Sequence, residues 1–163
     1  MVSIKLLERF TIDDQRNLGK NGYTSLGKYV VTKKESTEST TIALELVELE
    51  IPYVKTWRHV EADFERYLQI LPLKLSFGAY DDERLVGVVI TEPRAWNNTL
   101  WIDNIAVSET YRRRGIGSRL MKTVELLAIQ KGYRIIALET QNTNLSAINF
   151  YRKNGFEIDG VDL

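Results

Sequence analysis

Cysteine is absent from the 163 residues, and histidine occurs only once, as His59. These shortages exclude disulfides, thiolate metal sites, a cysteine nucleophile and a cluster of histidine ligands within this chain, so we expect no metal. An excess of one charge is missing too, because 22 lysines and arginines balance 22 aspartates and glutamates. A balanced chain has no overall field that draws it to nucleic acid or to a membrane surface, and we expect neither as a partner.

Long hydrophobic runs are also missing. No stretch approaches the roughly 20 apolar residues that span a bilayer, and Met1 to Lys20 lacks the basic start and apolar centre of a signal peptide. We therefore expect a cytoplasmic protein. The hydrophobic content of 44% and the length suit one domain, residues 1–163, with a single sizeable core.

A basic turn with two glycines is the most informative segment present. It lies between an apolar run, Leu100 to Val107, and a helical pattern, Ser118 to Lys131. Glycines allow a sharp turn and a close approach to a ligand, the first amides of a helix have no intrahelical acceptor, and arginines add donors for phosphate oxygens. The pattern predicts a diphosphate site, the alternative being an exposed basic turn; the turn comprises Arg112, Arg113, Arg114, Gly115, Ile116 and Gly117.

A second motif follows near the carboxyl end. Ala147, Phe150 and Tyr151 are three and four residues apart, so they share one face of a helix that Asn144 can cap and Gly155 can end. From spacing alone, Tyr151 is a half-buried packing residue with its hydroxyl satisfied or a functional hydroxyl.

The predicted elements form a mixed α/β (α+β) fold, in which a mostly antiparallel sheet has helices on both faces. Between Pro52 and Pro72 an amphipathic helix is predicted, with an apolar face of Trp57, Val60, Phe64, Tyr67, Leu68 and Leu71. A further helix starts near Thr11. The predicted strands are Ile4–Phe10, Lys28–Thr32, Ile42–Ile51, Leu75–Tyr80, Leu85–Thr91, Leu100–Val107, Tyr133–Leu138 and Gly155–Val161.

The two motifs, in this order and spacing, resemble those of the GCN5-related N-acetyltransferases (GNAT). The resemblance implies the GNAT fold over nearly the whole chain and acetyl-CoA as co-substrate. It implies that the fourth strand of that fold lines the pantetheine arm, that the basic turn and the start of the next helix hold the pyrophosphate, and that the second motif contacts the rest of the cofactor. These expected cofactor-binding residues are Ile105, Ala106, Val107, Arg112, Arg113, Arg114, Gly115, Ile116, Gly117, Ser118, Arg119, Asn144, Ala147, Phe150 and Lys153.

Four other strings are similar to the streptothricin acetyltransferases, namely Val47 to Lys55, Ala95 to Asn97, Ile102 to Val107 and Leu138 to Asn144. Those enzymes acetylate an amine on the β-lysine arm of an antibiotic. The resemblance implies a small-molecule amine acceptor, a role in antibiotic resistance, and contacts from Glu48, Glu50 and Trp96.

Amine acetylation needs groups that move protons. A lysine-like amine is protonated at pH 7, so something must accept its proton, and the candidates are Asp103, Glu139, and Glu48 or Glu50. The resemblance implies that Tyr151 protonates the departing thiolate and that the amide of Val107 or Ile105 stabilises the oxyanion. A cationic acceptor would also suit the acidic residues Glu45, Glu48, Glu50, Glu61, Asp63 and Glu65, the alternative being ordinary solvated faces.

Three functions stay open: a small-molecule amine acetyltransferase, a protein or peptide N-acetyltransferase, and a non-catalytic acetyl-CoA-binding domain. The family normally adds a seventh strand beside the sixth, which is predicted here at Gly155–Val161, and the sequence up to Leu163 offers no such final strand. We expect that the strand is truncated, that it is borrowed from a neighbouring chain, or that the pocket is left open. We expect the exposed edge of the sixth strand to suit homodimerisation.

Overall fold

A computed structural model describes residues 1–18, 22–57 and 60–162, with only the backbone described at 60–63. The strands are β1 (Ser3–Leu6), β2 (Gly22–Glu35), β3 (Thr40–Thr56), β4 (Phe77–Asp81), β5 (Arg84–Arg94), β6 (Thr99–Val107) and β7 (Ile135–Ala137). The helices are α1 (Ile12–Asn17), α2 (Val60–Ile70), α3 (Ile116–Lys131) and α4 (Leu145–Lys153). They fall into two compact units, the first within Met1–Asn21 and Trp57–Glu139, the second within Gly22–Thr56 and Thr140–Leu163. That the chain is one domain stays a prediction.

The first unit is built on a five-stranded sheet of order β1-β4-β5-β6-β7. Every pair is antiparallel except β6 with β7, which is parallel. The predicted strands Leu75–Tyr80, Leu85–Thr91 and Leu100–Val107 are confirmed as β4, β5 and β6, which pair antiparallel in chain order. The mixed, mostly antiparallel sheet of the predicted fold class is confirmed with them.

Strand β5 lies at the centre of this sheet and is buried on both faces. Val88 and Ile90 join the core cluster of Phe10, Tyr67 and Ile70, which come from the α1 and α2 side. The opposite face meets α3, since a side chain placed at Gly87 would come within 3.3 Å of Ile116. Helix α3 buries a repeating stripe comprising Ile116, Leu120, Met121, Val124 and Ala128.

The predicted amphipathic helix is confirmed in part. Helix α2 begins at Val60, so Trp57 lies before it, and Trp57 and Leu68 are both nearly half exposed. Tyr67 and Leu71 are buried as expected, whereas the side chain of Val60 lies outside the described residues, as does His59. Helix α1 begins at the predicted point, because Thr11 and Asp14 form a reciprocal capping box.

The second unit contains one long hairpin and α4. Strands β2 and β3 are much longer than the predicted segments, and only residues 36–39 separate them. The backbone of Tyr29 in β2 pairs with Asn142, which accepts from the Tyr29 amide at 2.9 Å and donates its side-chain amide to the Tyr29 carbonyl at 2.8 Å. The segment before α4 therefore takes its hydrogen-bonding partner from far earlier in the chain.

The predicted last strand, Gly155–Val161, is wrong. Residues 155–162 contain no strand, and Gly155 instead ends α4 with φ at 87°. Aspartate and glycine, which occur here as Asp159, Gly160 and Asp162, are poor strand formers. In the described part of the chain, no helix is long and apolar enough to cross a membrane.

Candidate active site

One edge of β6 leaves backbone groups available beside the basic turn. Strand β7 pairs with β6 only along Thr99–Trp101, so the later part of β6 diverges from it. The amide of Ser108 donates to Val86 of β5 at 2.9 Å. Because successive strand residues point their backbone groups to opposite sides, those of Val107 and Ile105 point away from β5. This is the edge that, by the family resemblance, is expected to line the pantetheine arm.

The turn after β6 is shaped for an anion. Arg113 and Gly115 both have left-handed backbones, with φ at 60° and 76°. Gly115 precedes α3 without any side-chain cap, and the amide of Arg119 makes the first bond of the helix, to Gly115 at 3.0 Å. The amides of Ile116, Gly117 and Ser118 therefore have no intrahelical acceptor, and the helix dipole adds positive potential there.

The predicted arginines differ in what they contact. Arg112 donates from Nε to the Val107 carbonyl at 3.0 Å, which ties the turn to the end of β6. Arg114 lies over the ring of Tyr111, 5.1 Å from its centroid. Arg119 instead donates to the Val2 carbonyl at 2.9 Å, near the start of β1. Residues 112–115 are exposed, so the turn presents its donors to solvent.

Tyr111 is itself held by Asp81 across the sheet. Its hydroxyl donates to Asp81 Oδ2 at 2.9 Å. This hydrogen bond raises the pKa of Tyr111 and lowers the pKa of Asp81. The hydrogen bond to Asp81 therefore holds the Tyr111 ring in the position where it contacts the Arg114 guanidinium.

The base candidate Asp103 lies at a β-bulge. Ile90 pairs with Asn104 and Thr91 with Ile102, which leaves Asp103 as the extra residue of β6. Bulges re-aim a side chain, and they are common beside active sites.

Asp103 is held by an arginine that sequence reasoning left without a role. Arg66 of α2 contacts Asp103 Oδ1 at 2.6 Å and Glu92 Oε1 at 2.5 Å from the same nitrogen, Nη2. Arg94 also contacts Glu92, at 2.6 Å, and lies over Trp101. Burial opposes the charge on Arg66, but the two carboxylates outweigh it, and the pKa of Arg66 is raised. The available signal was Glu92 and Arg94, two charges spaced by two in a strand otherwise rich in buried apolar residues.

The other predicted residues of the first unit are exposed. Glu139 follows β7, and Trp96 lies in a short 3-10 turn with 86% of its surface exposed. Glu65 is exposed on α2, while the side chains of Glu61 and Asp63 lie outside the described residues.

Helix α4 carries the second motif as predicted. Asn144 caps it by accepting from the Ala147 amide at 3.2 Å, and the most buried side chain is Ile148. Tyr151 packs against Phe150 and Phe156, at ring distances of 5.4 and 5.9 Å. Burial raises the pKa of Tyr151 to about 12. Lys153 is exposed in the last turn, and Glu45, Glu48 and Glu50 are exposed on β3.

Two tyrosines of the hairpin, not singled out by sequence, hold the segment before α4. The Tyr23 hydroxyl lies 2.6 Å from Gln141 Oε1 and 2.6 Å from Thr143 Oγ1, and burial raises its pKa. Tyr29 pairs with Asn142, and its hydroxyl accepts from Arg152 at 2.6 Å. Within the string Leu138 to Asn144, residues 141–143 are thus held by β2.

The chain is similar in sequence to known acetyltransferases. The sequence model of the acetyltransferase (GNAT) family matches residues 43–156. A streptothricin acetyltransferase of Escherichia coli is 37% identical over 87 residues, which are 53% of this chain and 49% of that protein, so the chain spans about half of that relative. N-alpha-acetyltransferase 30 of Dictyostelium discoideum is 33% identical over 133 residues, 79% of this chain and 67% of that protein.

Solved structures agree on the fold. A nourseothricin acetyltransferase superposes with a TM-score of 0.72 at 25% identity, over 99% of this chain and 86% of that one. A protein of Bacillus anthracis in complex with acetyl coenzyme A superposes with a TM-score of 0.71 at 23% identity, over 98% of this chain and 84% of that one.

Proposed function

The chain belongs to the acetyltransferase (GNAT) family, and from that premise we propose that it transfers the acetyl group of acetyl-CoA to a primary amine of a small molecule. The observation that carries the proposal is the first unit's combination of an available β6 edge, a left-handed basic turn and an uncapped α3. These features suit an elongated ligand that has amides at one end and a diphosphate at the other.

Individual residues of the chain would contact the diphosphate and the pantetheine arm of acetyl-CoA. The amides of Ile116, Gly117 and Ser118 would receive the diphosphate, and Arg112, Arg113 and Arg114 would add charge. A Cβ at Gly115 would meet no protein atom within 4 Å, so the turn leaves open space there. Ile105 and Val107 would pair through their backbones with the pantetheine amides, with Ala106 between them. From the second unit, the family resemblance adds Asn144, Ala147, Phe150 and Lys153.

The acetyl thioester supplies an activated carbonyl, and groups of the chain would stabilise the oxyanion and accept the amine's proton. The amide of Val107 or Ile105 would stabilise negative charge on the carbonyl oxygen as the amine attacks. A C–N bond forms, the C–S bond breaks, and the amine's proton leaves directly or through water by way of Asp103 or Glu139.

Tyr151 is proposed to assist the departing thiolate. With a pKa near 12 the hydroxyl is fully protonated at neutral pH, as a donor must be. A thiol has a pKa of about 8.5, so complete proton transfer from Tyr151 would be uphill by about 5 kcal/mol. We therefore propose that Tyr151 donates a hydrogen bond to the sulfur as the C–S bond breaks, in place of the full protonation that the resemblance implies, and that solvent supplies the proton that neutralises the thiolate.

The acceptor class follows from the relatives. A streptothricin acetyltransferase and a nourseothricin acetyltransferase are among them, so we propose a cationic antibiotic of this kind as acceptor, acetylation as resistance, and contacts from Glu48, Glu50 and Trp96. The balanced charge adds no reason to expect nucleic acid or a membrane as a partner. Homodimerisation stays a prediction, and its original argument is weakened because residues 155–162 form no strand edge.

A protein N-acetyltransferase is the second candidate. The match to N-alpha-acetyltransferase 30 covers more of this chain than does the match to the E. coli streptothricin enzyme, 79% against 53%. Coverage of this kind reflects a shared fold as much as a shared acceptor. A panel of acceptors must therefore decide between a protein and a small-molecule acceptor.

The test is release of CoA from acetyl-CoA by the purified chain, followed over streptothricin, spermidine, an aminoglycoside and amino-terminal peptides. Turnover with streptothricin at a kcat/KM at least a hundredfold above that with the peptides would support the proposal, and the reverse ranking would favour the second candidate. Binding of acetyl-CoA without turnover on any amine would refute both and identify a non-catalytic binding domain. Tyr151→Phe serves as the matched control, because it should bind acetyl-CoA and turn over slowly.

A further inference from the structure

We propose that Arg66 occupies the place of the acceptor's ammonium group, and that a cationic amine displaces it from Asp103. This inference rests on the proposed function, since it identifies how the same site selects a primary ammonium. It makes Arg66 a specificity-determining residue, which no motif of the sequence indicated.

The geometry places one cationic nitrogen between two carboxylates of neighbouring strands. Nη2 of Arg66 is 2.6 Å from Asp103 and 2.5 Å from Glu92. An alkylammonium is a compact charge with three donors, so it can make the same two contacts from a single nitrogen.

Exposure indicates which partner moves. The side chains of Asp103 and Glu92 are only 11% and 16% exposed, whereas that of Arg66 is 46% exposed. A carboxylate that is mostly buried on a strand needs a cation beside it, but an arginine that is half in solvent can leave at little cost. The carboxylates are therefore a fixed receptor and Arg66 is an exchangeable occupant.

The surroundings allow the exchange without a change of fold. Helix α2 is anchored by Tyr67 and Ile70, both buried, so the side chain of Arg66 can swing while the helix stays. Arg94 remains on Glu92 at 2.6 Å. The incoming cation therefore has to satisfy mainly Asp103, the residue that the bulge singles out.

The experiment must report displacement without requiring turnover. Nitrogen-15 NMR of the arginine side chains is recorded while n-butylammonium chloride is added, with sodium chloride at equal ionic strength as the reference. We expect the Arg66 signals to shift and exchange faster with n-butylammonium at concentrations where sodium has no effect. Arg66 signals that respond equally to the two salts would overturn the proposal.

Variants supply the second readout. Arg66→Gln removes this competing cation, so n-butylammonium should bind about tenfold more tightly, and the KM for a cationic acceptor should fall. Arg66→Lys should remain near wild type, and Arg94→Gln, which leaves Arg66 on Asp103, should change binding less than twofold. If Arg66→Gln stays folded by its melting transition and binds n-butylammonium more weakly, then Arg66 positions Asp103, and the proposal is wrong. Failure of the proposed function would look different, namely displacement of Arg66 without acetyl transfer.

Discussion

The basic turn at residues 112–115 and the uncapped start of α3 together form the proposed diphosphate site, called here the anion cradle. Replacing Gly115 by alanine tests it directly. Gly115 has φ at 76° and stands just before α3, where a Cβ would meet no protein atom within 4 Å. Gly115→Ala therefore introduces no clash, and its cost in stability is backbone strain. A left-handed alanine costs about 1–2 kcal/mol, which is offset by about 0.4–1 kcal/mol because the unfolded chain loses freedom. The net loss is about 1 kcal/mol, or roughly 3 °C in melting temperature for a chain of this size.

The same helix provides a matched control at its other end. Gly132 has φ at 73°, follows α3, and likewise has no atom within 4 Å of an added Cβ. Gly132→Ala should thus cost the same ~1 kcal/mol, by the same arithmetic. Only Gly115→Ala should weaken the binding of acetyl-CoA, since it alone puts a methyl group where the diphosphate is proposed to lie.

The expected size follows from the hydrogen bonds at risk. Misplacing one charge-assisted bond to a phosphate costs about 1.5–3 kcal/mol, which corresponds to a roughly 10- to 150-fold higher Kd. Calorimetric titration with acetyl-CoA measures the affinity, and urea denaturation measures the stability. Gly115→Asn separates the two effects, because asparagine tolerates the left-handed backbone and yet carries a side chain. Equal Kd values for the Gly115 and Gly132 variants would refute the cradle.

Three further outcomes are expected. Tyr151→Phe should lower kcat about a hundredfold and leave the Kd of acetyl-CoA nearly unchanged, and an unchanged kcat at saturation would remove Tyr151 from the mechanism. The pKa of Tyr151 is raised from 10.0 to about 12, so its contribution to stability is complete below pH 10. As the pH rises to about 12 this contribution, roughly 3 kcal/mol, is lost. The free energy of unfolding should therefore fall less steeply with rising pH in Tyr151→Phe than in the wild type. Asn142→Ala, which loses the bond to the Tyr29 carbonyl, should destabilise the hairpin by about 1 kcal/mol, seen as faster amide exchange along β2; unchanged exchange there would contradict it.

The parts of the structure that sequence predicted best are those fixed by local chemistry. Helix α3 and the Asn144 cap each depend on residues a few positions apart, so the rules for helix period and helix caps identify them. The basic turn was predicted for the same reason, because left-handed φ values and uncapped amides follow directly from glycine before a helix.

Prediction from sequence failed for contacts between residues that are far apart along the chain. The pairing of Tyr29 with Asn142 joins positions 113 residues apart, and nothing local announces it. The predicted strand at Gly155–Val161 was wrong, and the local composition of aspartate and glycine opposed it. The ion-pair network was missed because Arg66, Glu92 and Asp103 come from three separate elements, each with an ordinary pattern of charges.

The network of Arg66, Glu92 and Asp103 also bears on the role proposed for Asp103. For model compounds in water, direct proton transfer from a lysine ammonium (pKa about 10.4) to an aspartate carboxylate (pKa about 3.9) costs about 9 kcal/mol. A kcat of about 1–1,000 per second corresponds to a total barrier of only about 13–17 kcal/mol, so this route leaves little for the attack itself. Release of the same proton to water at pH 7 costs about 4–5 kcal/mol. Asp103, already an ion-pair acceptor for Arg66, is better suited to hold the ammonium than to take its proton, and solvent is the more economical final acceptor.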